Sequence, residues 1–278
     1  MKPLVLAEPS ALREVVIQWL DQRDRQHHAL APAAISTQPW RSVLRQSRAG
    51  LVVDMASHGR APALGRDRYL QLLDACEQLE LPYLLISDAR VLGAADGPQP
   101  ETAPPAPLNA LGEELAWREQ QLRERPLKSL ILRSGELFGA AQHGRLHSLV
   151  LALRGGGELR LSTTRQCPPT HITDLARVLS AMLDQLACGA DCWQTYHYTA
   201  AGATSCYEFA ENVLANASQY WDISGVQMQA SEDQPMTVPI LACQQIRDHF
   251  GIKQLPWRSF LNHSLKRIHA QEQQQEPS

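Results

Sequence analysis

Few side chains in this chain of 278 residues are spaced for chemistry. His143 and His147 lie four apart, so one helix face could offer two imidazoles to a metal, but no acidic or Cys partner follows at matching spacing. Cys188 and Cys192 approach a thiolate pair near His197. With Gly189 between them and no C-x-x-C among the six cysteines, reduced structural thiols are the better reading. Asp88 with Glu113 or Glu114 could pair for acid–base work, although helix carboxylates are usually solvated. Tyr69, Tyr83, Tyr196 and Tyr207 each carry a phenolic proton, yet none is followed by Lys four residues on. Gly155-Gly156-Gly157 precedes Glu-Leu-Arg-Leu, not a helix, and reads as a turn rather than a phosphate loop. Ser134 sits in Arg-Ser-Gly-Glu, without the flanking glycines of a nucleophile elbow.

The elements that would position these groups are an alternation of apolar runs and amphipathic stretches, the signature of an α/β fold. Residues 2–7, 51–56, 81–87 and 127–133 read as buried strands, 195–199 as a short one, and 28–36 as a weak one. Helices are expected at 40–47, 68–79, 109–123, 171–187, 205–217 and 257–269, with a first one opening after Ser10 as its cap. Residues 96–107 hold five prolines in twelve and break the pattern. Trp193, Trp221 and Trp257 are expected in packing, and residues 266–278 as a polar, frayed tail. The net charge of −3 gives no basic field for nucleic acid or anionic lipid. The first ten residues lack a secretory core, and no apolar run is long enough to span a membrane, so a cytoplasmic location is expected.

Six collinear segments together resemble the dTDP-4-dehydrorhamnose reductase branch of the extended short-chain dehydrogenase/reductase superfamily, which also contains the regulatory beta subunit of methionine adenosyltransferase. They are LLISDARVLGAADGPQPETAPPAPLNALGEELAWRE, LILRSGELFG, QCPPTHITDLARVL, YHYTAAGATSCYEFAENVL, VPILACQQIRDHFGIK and LPWRSFLNHSL. The resemblance implies a Rossmann-like, doubly wound parallel sheet with a smaller C-terminal sugar-nucleotide-binding-type lobe. Residues 1–139 and 171–200 would form the larger domain, and 140–170 with 201–265 the smaller.

It also implies where chemistry should be, and the residues there are different. An ungapped reading places Ala7, Ser10 and Arg13 at the three glycines of the dinucleotide turn, with Pro9 removing one N–H from it. If the turn still held NADP or NAD, Ala7, Ser10, Ala11, Leu12, Arg13, Ala56, Ser57 and Ser87 would line it. The Tyr and Lys of the family's Y-x-x-x-K fall on Leu111 and Leu115, which have neither a proton to give nor a charge to lower a pKa. Its Ser/Thr falls on Ser87 or Asp88. Arg133, Glu136, Gln166, Pro169 and Thr170 are the substrate-lobe candidates, Glu136 being placed to repel a pyrophosphate unless turned away.

Three readings follow. The first is a non-catalytic subunit that binds a sugar nucleotide or a dinucleotide, or regulates a protein partner. The second is an active nucleotide-sugar reductase or epimerase in which Asp88, Ser87 or another Tyr stands in. The third is a purely structural protein, with Leu111, Leu115 and Arg13 filling the groove. Leu108, Leu111, Leu115 and Leu122 suggest an apolar seam for a homodimer through the 109–123 helix.

Overall fold

Strands whose residues are apolar at consecutive positions must bury both faces, and the fold does so by placing helices on each side of one sheet. The computed structural model describes residues 1–35, 37–55, 63–93, 97–141, 144–166, 169–232 and 239–275. In chain order the elements are β1 (Pro3–Leu6), α1 (Ala11–Asp21), β2 (His28–Leu30), α2 (Trp40–Ser47), β3 (Leu51–Asp54), α3 (Arg66–Gln78), β4 (Tyr83–Asp88), α4 (Ala110–Arg123), β5 (Ser129–Ser134), β6 (Glu136–Phe138), α5 (Arg145–Arg154), β7 (Gly157–Ser162), β8 (Pro169–His171), α6 (Ile172–Ala187), β9 (Thr195–Tyr198), α7 (Cys206–Ala217), β10 (Val226–Ser231), α8 (Gln244–Phe250) and α9 (Leu261–Gln275).

Six strands form a parallel sheet in the order β2-β1-β3-β4-β5-β9. The chain steps outward from β1 to β2 and then returns to the other side of β1 with β3. That reversal opens a crevice at the carboxyl ends of β1 and β3. Leu4, Leu6, Val52, Tyr83, Leu85 and Ile131 pack on one face with side chains of α2 and α3. Val5, Val53, Leu84, Ile86, Leu130 and Leu132 pack on the other with α1 and α6.

A smaller core gathers Leu146, Val150 and Leu153 of α5, Phe209 and Val213 of α7, Trp257, and Leu261, Leu265 and Ile268 of α9. Parallel pairs β10–β7 and β6–β8 complete this lobe. Trp257 is fully buried and Trp221 nearly so, as their packing role requires. No helix among the described residues is long and apolar enough to cross a membrane.

Three expectations need correction. Residues 271–275 are not frayed, because α9 runs to Gln275 and Glu272 accepts the Trp221 indole N–H at 2.8 Å and pairs with Arg154. Residues 244–252 belong to the larger core: Ile246, Phe250 and Ile252 of α8 and its exit pack there with Tyr196. The leucine seam of α4 is turned inward, with Leu115 and Leu122 wholly buried and Leu108 alone among the four largely exposed.

Candidate functional site

In the β1–α1 turn, side chains take up backbone N–H groups. Ser10 caps α1 by accepting the Arg13 N–H at 3.2 Å. Ala7 is buried and donates its N–H to the Leu30 carbonyl, while the Glu8 carboxylate accepts the Ala33 N–H at 2.8 Å. This pins a carboxylate in the turn just ahead of a helix N-terminus, whose dipole would otherwise favour a ligand anion. Ala11 is half-buried and Leu12 buried against the sheet. Arg13 is half-buried, and its Nε is enclosed with no hydrogen-bond partner among the described residues. Ala56 and Ser57 lie outside the described residues.

Beyond β4 the chain makes a tight 3-10 turn at Ala89–Val91, against which α4 begins. Asn109 caps α4 by accepting the Gly112 N–H at 2.9 Å. Gly112 is required by close approach: a Cβ there would sit 2.2 Å from the Arg90 carbonyl oxygen. That contact holds the first turn of α4 directly over the end of β4. Leu115 is consequently sealed in an apolar cluster with Ala89, Val91, Leu92 and Leu241, and half-buried Leu111 packs against the same cluster. Leu241 reaches it from a segment clamped by Gln99, whose N–H bonds the Ile240 carbonyl and whose carbonyl accepts from Ala242.

Asp88 does not pair with a carboxylate. Its Oδ1 accepts from the Arg90 backbone N–H and Nε, and its Oδ2 from Arg90 Nη2 at 2.7 Å. Glu114 is held by Arg66 and Arg118, and Glu113 is exposed. The tyrosines also serve elsewhere. Tyr83 donates to Asp54 at 2.7 Å, Tyr69 to the Arg118 carbonyl at 3.2 Å, and the Tyr196 hydroxyl meets His249 Nδ1 at 3.1 Å. Burial raises the pKa of all three, the wrong direction for an acid that must ionise readily. Tyr207 lies half-buried on α7.

The centre of this region is a buried ionic network. Ser87, Arg133 and His197 stand side by side in register on β4, β5 and β9. Glu119 of α4 lies above the row. It accepts from Ser87 Oγ at 2.7 Å, from Arg133 Nε at 2.9 Å and Nη2 at 2.6 Å, and from Arg123 at 2.6 Å. Arg133 Nη1 donates to His197 Nε2 at 3.3 Å, and His197 Nδ1 donates to the Gln99 carbonyl. Burial pushes the Glu119 pKa up. The hydrogen bonds and charge of Arg133, then the charge of Arg123 and the Ser87 bond, outweigh it and leave the carboxyl below its ordinary value. Ser87 and Arg133 are thus partners of Glu119, with Arg133 1% exposed.

Glu119 was absent from the sequence reading. One signal was there: Leu115, Glu119 and Leu122 share a helical stripe, so a carboxylate interrupts a buried face. An arginine inside the apolar run Leu-Ile-Leu-Arg was its natural complement.

The lobe candidates are spread out. Glu136 is bound to Arg145, whose guanidinium also lies over the Phe209 ring at 4.9 Å, so its charge is matched from α5. Gln166 forms an antiparallel bridge with Ser205. Pro169 and Thr170 lie buried in β8, where the Thr170 hydroxyl donates to that of Thr199 at 3.4 Å. Neither metal idea gains a ligand set. His143 is outside the described residues, His147 faces Glu272 at 4.0 Å, and His197 is committed to Arg133 and Gln99. Among the described residues no cluster of three or more His, Cys, Asp or Glu could hold a metal.

The strand order defines a Rossmann-like, doubly wound α/β protein. The family model described as the RmlD substrate binding domain matches residues 57–270, and the chain belongs to that family. The dTDP-4-dehydrorhamnose reductase of Burkholderia thailandensis is 24% identical over 180 residues, a match that spans 60% of this chain and 60% of that relative's length. Among solved structures, a dTDP-4-dehydrorhamnose reductase from Clostridium acetobutylicum superposes with a TM-score of 0.80 at 19% identity, covering 96% of this chain and 99% of that one. The Bacillus anthracis enzyme of the same name, in complex with NADP, gives 0.79 at 18%, covering 95% and 98%. A Thermus thermophilus UDP-glucose 4-epimerase complex with NAD gives 0.75 at 16%, covering 96% and 99%. These likenesses show the fold.

Proposed function

We propose that this chain is a non-catalytic member of the RmlD substrate-binding-domain family that acts as a binding or regulatory protein, its ligand a sugar nucleotide or a protein partner. The observation that carries the reading is Leu115, wholly buried among Ala89, Val91, Leu92 and Leu241 at the position of the family's lysine. No ammonium stands there to lower a phenol's pKa, and Leu111 supplies no phenol. Ser87, the remaining candidate, already donates its hydroxyl proton to Glu119. Glu8 in the β1–α1 turn opposes a pyrophosphate, which favours a sugar nucleotide in the smaller lobe over a dinucleotide in the larger.

The test is to offer the purified chain NADPH or NADH with dTDP-4-dehydrorhamnose and follow loss of reduced nicotinamide. The expected result is no turnover above the blank; turnover by the chain would overturn the reading. A thermal-shift titration with dTDP-sugars runs beside it, because a ligand that binds only the native state at 100 times its dissociation constant adds about 2.7 kcal/mol. The cluster also predicts that catalysis cannot be restored by grafting. Leu115→Lys is expected to cost about 3 kcal/mol or more in urea unfolding, since an unpaired ammonium would be buried in an apolar pocket. Leu111→Tyr/Leu115→Lys is expected to remain inactive.

A further inference from the structure

Residues 25–53 include four arginines and two histidines but neither Asp nor Glu, in a chain whose net charge is −3. Three of the arginines belong to α2 and its exit. Trp40, Val43, Leu44 and Ser47 of that helix are buried, and its outward residues are Arg41, Ser42, Arg45 and Gln46, followed by Arg48. Arg41, Arg45 and Arg48 are spaced i, i+4, i+7 and so make one stripe about 10 Å long. All three are exposed, and among the described residues none has an ion pair or a side-chain hydrogen bond. Other exposed arginines, such as Arg66, Arg154 and Arg258, each meet a carboxylate. Lys2 lengthens the stripe, since its Nζ donates to the Ser47 carbonyl at 3.2 Å and to His28 Nε2 at 2.7 Å. The arrangement works against its own helix. Arg41 and Arg45 repel across one turn, and Arg41 sits at the positive end of the dipole, where neither a carboxylate nor a side-chain cap answers it. A local penalty that the fold does not offset marks a surface used by something outside the fold.

We propose that the outward face of α2 docks an acidic helix of another protein, one whose carboxylates recur alternately three and four residues apart. Two helices laid side by side share the same rise per residue, so three such carboxylates meet the three guanidinium groups in step. Each guanidinium is a planar fork that takes a carboxylate by two parallel hydrogen bonds. Other polyanions match this face less well. It has no aromatic ring on which a base could stack, and the chain's overall negative charge opposes a long nucleic acid. A bilayer would need an apolar helix face, and that of α2 is already packed on the sheet through Trp40, Val43 and Leu44. The inference rests on α2 alone and not on the loss of chemistry around Leu115.

The test is fluorescence anisotropy of a labelled, alanine-rich helical peptide with glutamates at that spacing on one face, titrated with the full chain at low salt. Saturable binding is expected, weakening as salt shortens the reach of exposed charges. A second peptide of the same composition, with its glutamates spread evenly around the helix, should bind more weakly. Arg41→Gln/Arg45→Gln/Arg48→Gln should lower affinity about tenfold or more, the sum of three exposed ion pairs. Its melting temperature should be no lower than the parent's, because the substitutions remove repulsion and disturb no contact. Arg45→Lys keeps the charge without the fork and should fall between the two. A deoxythymidine oligonucleotide and phosphatidylserine vesicles are titrated beside the peptides. Failure of the first peptide to bind, equal binding of the second, binding that survives the triple substitution, or tighter binding of the oligonucleotide or the vesicles would each overturn the proposal.

Discussion

Glu119→Leu is expected to lower unfolding stability by about 3–5 kcal/mol, the range for removing one partner of a buried ion pair. The size follows from what remains behind. Glu119 is wholly buried and receives hydrogen bonds from Ser87, Arg123 and Arg133. Arg133 is 1% exposed, and without the carboxylate its side-chain partner in the network is a neutral imidazole at 3.3 Å. The guanidinium would then be a charge out of water with no counter-charge against it. Adding Arg133→Met to Glu119→Leu should recover much of the loss, because replacing both members of a buried pair by apolar groups of similar volume is often neutral or better. Urea unfolding of the two variants measures this directly. A single variant within about 1 kcal/mol of the parent, or a double variant worse than the single, would show that the network is not what holds α4 to the sheet.

What could be read from the sequence was whatever local spacing determines. The strands at 51–54, 83–88 and 129–134 are short apolar runs that only a two-sided sheet accepts, and Ser10 is a cap whose side chain accepts the Arg13 N–H. The smaller lobe was less legible. β10, Val-Gln-Met-Gln-Ala-Ser, alternates apolar and polar residues over six positions, a two-residue period that the sequence reading did not take up, and β7 stands beside it. The leucine seam of α4 had the right period and the wrong destination. Periodicity gives the apolar face of a helix, not whether its own sheet or another chain covers it, and here Leu115 and Leu122 meet their own chain. Leu111 and Leu115 are plain in the sequence. The buried network was not legible there, because Glu119, Arg133, Ser87 and His197 are joined by tertiary register rather than by spacing.

The same burial makes stability fall in mild acid, through two histidines. His171 is 4% exposed, stacked on Phe260 at 4.7 Å; its Nδ1 accepts the Thr173 N–H, so Nε2 carries the proton donated to Ser264. His197 is fully buried, with Nδ1–H committed to Gln99 and Nε2 accepting from Arg133. Both rings therefore need to be neutral. Burial, joined by the charges of His263 and Arg267, lowers His171 to about 4. Burial, joined by the charge of Arg133 and partly offset by Gln99 and Glu119, lowers His197 to about 4. In the unfolded chain each titrates near 6.5, so between about pH 6.5 and 4 the unfolded state binds protons that the native state refuses. Stability is full above this window and falls as pH drops through it, by a ceiling of about 3.5 kcal/mol for each ring at about 1.4 kcal/mol per pH unit. Glu119 acts in a lower window. Its folded pKa is depressed, so its contribution holds above the unfolded carboxylate value of about 4.3 and is lost only as pH falls below that, through the folded pKa. Urea unfolding across the pH range separates the two. His171→Gln and His197→Gln should each lose stability near neutrality, where their hydrogen bonds are disturbed, and each should flatten the slope between about pH 6.5 and 4 by up to one proton. A parent protein whose stability is level across that window, or variants that keep its slope, would place the acid sensitivity in other groups.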